Sequence, residues 1–134
     1  MYLEKGLRGE ARMVVGKEDT AIIQGSGRVP VLATPRLLGL VEAAAVAALN
    51  GTLSEEQTSV GTRVELEHLA ATPVGMGVVA TAELIKVDGR RLTFAFEARD
   101  DVEIVGRGRH ERFLVEESRF MTRVNRKRNH TLSS

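Results

Sequence analysis

Residues 33–51, ATPRLLGLVEAAAVAALNG, decide the fold of this 134-residue chain. Thr34 suits an N-cap, and Pro35 follows at the first helical position, where a missing N–H costs nothing. Asn50 and Gly51 suit the other end, so the spacing predicts a helix from about 35 to 49. Between the caps nearly everything is apolar, and Ala43, Ala44, Ala45, Ala47 and Ala48 keep the helix thin enough for a sheet to approach on more than one side. A helix apolar almost all round is a buried helix. Its only acid is Glu42, in the middle, where a carboxylate needs either a partner or a task.

The rest of the chain must wrap that helix. A length of 134 residues sets one core. With 19 basic and 18 acidic residues the net charge is +1, which gives no general attraction to nucleic acid. Cysteine is absent, so a disulfide framework, a thiolate nucleophile and a cysteine metal site are excluded. The opening MYLEKGLRGEAR lacks the apolar run of a signal peptide, and no stretch approaches the roughly 20 apolar residues of a membrane helix. The expected setting is therefore the cytoplasm.

Residues 10–23 read as an extended opening of two β-favouring runs, and QGSGRVP as a loop. After the helix, LSEEQTS is a polar connection in which Ser54 and Gln57 have capping-box spacing. Four β segments follow. In TRVELEHL, Arg63, Glu65 and Glu67 share one face, while Thr62, Val64, Leu66 and His68 share the apolar one. Asp88-Gly89 marks a hairpin between segments 78–87 and 90–99, and in the latter Leu92, Phe94, Phe96 and Ala98 share a face. The last, 103–116, sets Gly106, Gly108, His110 and Arg112 on one side. Short connections favour an antiparallel meander curled around the helix, an α+β architecture whose remaining open side calls for another subunit. We assign residues 1–118 to this single domain. Residues 119–134 form a basic segment, helical to about Val124 and frayed beyond.

Internal repeats and a phosphate-binding glycine loop are both missing from the sequence. His68, His110 and His130 are too dispersed for a metal site. The chemical candidates are Thr34, Glu42 and His68: a hydroxyl, a carboxylate and a proton carrier. Each also has a structural reading, Thr34 as a cap, Glu42 as a paired buried acid and His68 as a core histidine. His110 and Arg112 read as sheet packing or a surface ion pair. Eight residues of helical rise place Thr34 and Glu42 about 12 Å apart, so they do not form a contiguous triad along the helix.

The segments ATPRLLGLVE, VGTRVELEHLAATPVGMGVVATAEL, DGRRLTF and IVGRGRHERFLV together resemble the fluoroacetyl-CoA thioesterase family of hotdog-fold proteins, in order and from about residue 31 to 115. The resemblance implies one long helix wrapped by an antiparallel sheet, homodimers, and hydrolysis of acyl-CoA near the subunit interface. It puts the catalytic roles on Thr34, Glu42 and His68, and a substrate-contacting glycine on Gly61. Coenzyme A enters as part of the substrate, and neither cofactor nor metal is implied. Arg119, Arg123 and Lys127 are candidates for its phosphates by charge alone.

One departure bears on the acyl group. Fluoroacetyl-specific members carry phenylalanines before the catalytic helix, whereas residues 24–33, QGSGRVPVLA, are fewer and contain no aromatic. The expected substrate is thus a short or small acyl-CoA, without specificity for the fluoroacetyl group. The alternative is a non-catalytic module that binds acyl-CoA or a small ligand in the same cleft.

Overall fold

The computed structural model describes residues 3–130. Strand β1 (Arg8–Val14) leads through a short turn at Lys17–Asp19 into a single helical turn, α1 (Ala21–Gln24), and then the long helix α2 (Thr34–Ala48). Strands β2 (Gln57–His68), β3 (Gly77–Asp88), β4 (Arg91–Asp100) and β5 (Ile104–Glu116) follow, and helix α3 (Glu117–Arg126) ends in a turn at Lys127–Asn129. Each strand pairs antiparallel with its neighbours in the order β1-β3-β4-β5-β2. The sheet curls around α2, as the hotdog arrangement requires.

The apolar pattern produces this directly. Leu37, Leu40, Val41, Ala44, Ala45 and Ala48 of α2 are buried against the inner face of the sheet. There β3 presents Ala80, Ala82 and Leu84, and β4 presents Leu92, Phe94, Phe96 and Ala98, all buried. Small residues at the contact let helix and sheet backbones come close. The closest approach is at Gly9 in β1, where a Cβ would collide with backbone atoms of Ala44, Ala47 and Ala48. Such an overlap cannot be relieved by a rotamer change, so Gly9→Ala is expected to cost about 3 kcal/mol or more. A urea midpoint matching wild type would show that α2 can retreat.

Several local expectations need correction. The N-cap of α2 is Ala33, and Thr34 is the first helical residue. The Ala33 carbonyl accepts from Arg36 and Leu37 N–H, and its own N–H donates to the Asp19 carbonyl, which frees the Thr34 hydroxyl from capping. Residues 21–23 form the turn α1 instead of a strand, with Thr20 as cap and Ile22 and Ile23 exposed. The polar connection ends sooner than expected, since β2 already begins at Gln57. Ser54 does donate to Gln57 Oε1, but without a helix.

The meander holds only for β3-β4-β5. Strand β2 pairs with β5 at the far edge, so residues 69–76 carry the chain across to the other side of the sheet instead of making a hairpin. In this pairing β5 sets Gly106 and Gly108 opposite His68 and Leu66, and a Cβ at Gly108 would overlap the Glu65 carbonyl, so glycine lets the two strands lie this close. The register slips between Gly61 and Arg63, so Thr62 bulges out of the predicted inner row. Its hydroxyl donates to the Glu111 carbonyl. Helix α3 runs two residues beyond the expected end, and residues 131–134 lie outside the described part.

Candidate active site

The start of α2 is held from three sides. Asp19, itself buried, receives Arg36 Nε at 2.9 Å and the Gly16 N–H at 2.8 Å. The Leu32 N–H donates to the Thr72 carbonyl at 2.9 Å, tying the entry of the helix to the crossover after β2. This fixes Thr34 beside the end of β2. There the Thr34 hydroxyl lies 2.7 Å from His68 Nδ1.

A hydroxyl hydrogen-bonded to a ring nitrogen is the nucleophile–base pairing of acyl-transfer sites. Burial holds the His68 imidazole below its ordinary pKa, with the Ala70 backbone opposing the shift. The ring is consequently neutral at physiological pH and able to take a proton. Its second nitrogen, Nε2, is buried and has no hydrogen-bond partner among the described residues. Beside the pair opens a cavity of about 340 Å³, lined by Val29, Val31, Leu32, Leu69 and Ala71 together with Thr34 and His68.

Glu42 lies elsewhere on α2, in a second cluster. Its Oε2 accepts from Arg112 Nη1 at 3.2 Å. The arginine side chain is only 8% exposed, while that of Glu42 is 40% exposed, so the pair is buried at one end and open at the other. Arg112 also donates to Ser59 Oγ at 2.8 Å and to the Ser59 carbonyl at 3.0 Å. Gly61 faces the carboxylate, and a Cβ there would overlap Glu42 Oε2 and press on His110 and Arg112. Glycine is what lets the carboxylate rest against strand β2.

Within one chain the structure thus joins Thr34 to His68, and Glu42 to Gly61, without joining the two groups. The approximately 12 Å expected from helical rise explains the gap. Sequence reasoning placed His110 and Arg112 on one side of β5 but left them to packing or a surface pair. Both are buried, and that side faces Glu42. Ser59 was missed because it falls before the strand predicted there. Among the described residues no group of His, Cys, Asp or Glu side chains could hold a metal ion, and no helix is long and apolar enough to cross a membrane.

A curled antiparallel sheet around one long helix defines a hotdog-fold protein, here with a hydroxyl–imidazole pair at the helix start and a carboxylate along it. Residues 15–118 match the family described as fluoroacetyl-CoA-specific thioesterase. The fluoroacetyl-CoA thioesterase of Streptantibioticus cattleyicolor is 41% identical over 97 residues, covering 72% of this chain and 70% of that protein. A solved fluoroacetyl-CoA thioesterase structure superposes with a TM-score of 0.88 at 34% identity, over 95% of this chain and 98% of that one. A Thermus thermophilus member of the thioesterase superfamily gives 0.88 at 27% identity, over 96% and 95%. The chain belongs to the fluoroacetyl-CoA-specific thioesterase family.

Proposed function

We propose that this protein hydrolyses a short or small acyl-CoA thioester to the free acid and coenzyme A, using Thr34, His68 and Glu42. The observation that carries this is the Thr34–His68 pair at 2.7 Å, lining the 340 Å³ cavity. A proton passes from the Thr34 hydroxyl, or from a water in its place, to His68 as the oxygen adds to the thioester carbonyl carbon. The carbon–sulfur bond then breaks and the departing thiolate takes a proton, giving the thiol of coenzyme A. When Thr34 is the attacking group, water releases the acyl ester in a second turn of the same cycle. The thioester carbonyl, whose developing negative charge needs a nearby N–H donor, is assigned to Gly61, the glycine against which the Glu42 carboxylate rests.

The third member of the site comes from a second copy of the chain. Pro35, Ala43 and Val46 are exposed, and with the half-buried Leu38 and Gly39 between them they form a largely apolar stripe on α2. This supports a homodimer that brings Glu42 of the partner subunit to the Thr34–His68 pair, completing a nucleophile–base–carboxylate constellation. The small aliphatic residues before α2 support a compact acyl group without the aromatic discrimination of fluoroacetate. A substrate carrying the phosphates of coenzyme A does not cross bilayers, which supports a cytoplasmic place of action.

The test is free-thiol release from short, branched, aromatic and fluorinated acyl-CoAs. Turnover concentrated in the short unfluorinated members is the expected result. Saturable binding of every ester with no thiol released would replace the enzyme by a binding module.

A further inference from the structure

We infer that His110 is a positioning residue for the Glu42 carboxylate: a neutral, Nδ1–H imidazole whose Nε2 fixes the Arg112 guanidinium that grips Glu42. The inference rests on the reading of Glu42 as the working carboxylate. The ring hydrogen-bonds to the Arg63 carbonyl and Arg112, not to Thr34 or His68, so it takes no direct part in the proton transfer.

The tautomer follows from the partners. His110 Nδ1 lies 2.8 Å from the Arg63 carbonyl oxygen, which only accepts, so Nδ1 carries the proton. His110 Nε2 lies 3.2 Å from Arg112 Nη1, which only donates, so Nε2 is the bare acceptor. A protonated ring would set N–H against N–H and charge against charge. The bulge supplies the first anchor, since Arg63 is the residue at which the β2–β5 ladder resumes after slipping.

The consequence lies in the guanidinium. Arg112 places N–H groups on Ser59 Oγ, the Ser59 carbonyl, His110 Nε2 and Glu42 Oε2, four of its five donors. Nη1 serves two of these partners, so His110 dictates which of its hydrogens is left for Glu42. Without that acceptor the guanidinium is free to twist about its remaining anchors on Ser59, and the carboxylate loses a fixed direction. The groups around the ring are Arg112 from β5, Glu42 from α2, the Arg63 carbonyl from β2 and the Phe94 ring from β4, whose centroid is 6.3 Å away, with the charge of Glu111 acting from the other face of β5. Burial, with Arg112 adding to it, holds the imidazole below its ordinary pKa against the opposing Arg63, Glu42 and Glu111. The ring therefore stays neutral where the enzyme works.

Two readouts test this. Long-range nitrogen–proton NMR of the wild-type protein is expected to give His110 as the Nδ1–H tautomer, without titration between about pH 6 and pH 8. An Nε2–H tautomer, or titration with an ordinary midpoint, would overturn the inference whether or not the protein has any esterase activity. In kinetics, His110→Leu is expected to lower kcat about 30-fold with KM within about twofold, and His110→Gln, whose amide oxygen reaches the Nε2 position, to recover most of it. Equal loss in both variants would mean that the ring only fills space. Wild-type protein that releases no thiol from any ester would instead remove the thioesterase reading, and the NMR result would then decide the imidazole assignment alone.

Discussion

Glu42→Gln is expected to lower kcat for acyl-CoA hydrolysis by about 10³-fold, within the range for losing a positioned acid–base group. Glutamine keeps the length of the side chain and an oxygen for Arg112 Nη1, so the contact at 3.2 Å survives and the fold should stay intact. What disappears is the negative charge, both as a proton acceptor and as a counter-charge to a histidine that is gaining a proton. KM should change little, because the carboxylate makes its strongest interaction only as charge develops. Circular dichroism and a thermal scan alongside the kinetics separate this from unfolding. A variant with wild-type melting and at least a tenth of wild-type kcat, on the order of the loss expected for a mere packing change, would remove Glu42 from the chemistry.

Mixing two inactive proteins is expected to restore activity. Thr34→Ala removes the hydroxyl beside His68, Glu42→Gln removes the carboxylate, and each homodimer should be nearly silent. If a site draws its hydroxyl–imidazole pair from one protomer and its carboxylate from the other, a mixed dimer has one site with both lesions and one with neither. Random exchange makes about half the dimers mixed, so activity should rise to about one quarter of wild type. The gain should appear with the kinetics of subunit exchange. If all three groups acted within one chain, every site in the mixture would carry a lesion and activity would stay at the level of the parents.

The helix and its surroundings were legible because their signals are local and redundant. The alanine-rich run 43–48 demanded burial, met at Ala44, Ala45 and Ala48 but not at the exposed Ala43 and Val46; Asp88-Gly89 demanded a turn, and the alternation of Leu92, Phe94, Phe96 and Ala98 demanded one buried face. What escaped was non-local. Nothing in the composition of residues 69–76 distinguishes a hairpin from a crossover, since the choice depends on where β5 and β1 leave open edges. The bulge at Thr62 was hidden for the same reason, because alternation read from one strand assumes an unbroken ladder. Thr34 was placed one residue early, as the cap: the cap is Ala33, and Thr34 is the first helical residue, with its hydroxyl at His68 Nδ1. The candidate site was only half readable. Residue type and the family resemblance singled out Thr34, Glu42 and His68, but the Arg112, Ser59 and His110 cage around Glu42 depends on β2 pairing with β5 in one particular register.

The most direct measurement is the hydrolysis of a short acyl-CoA in ¹⁸O-labelled water, with the acid and thiol both quantified by mass spectrometry. The account predicts one labelled oxygen in each acid molecule formed and one free coenzyme A released with it, the mark of water cleaving the carbon–sulfur bond. Intact ester after long incubation, or thiol released without labelled acid, would contradict it.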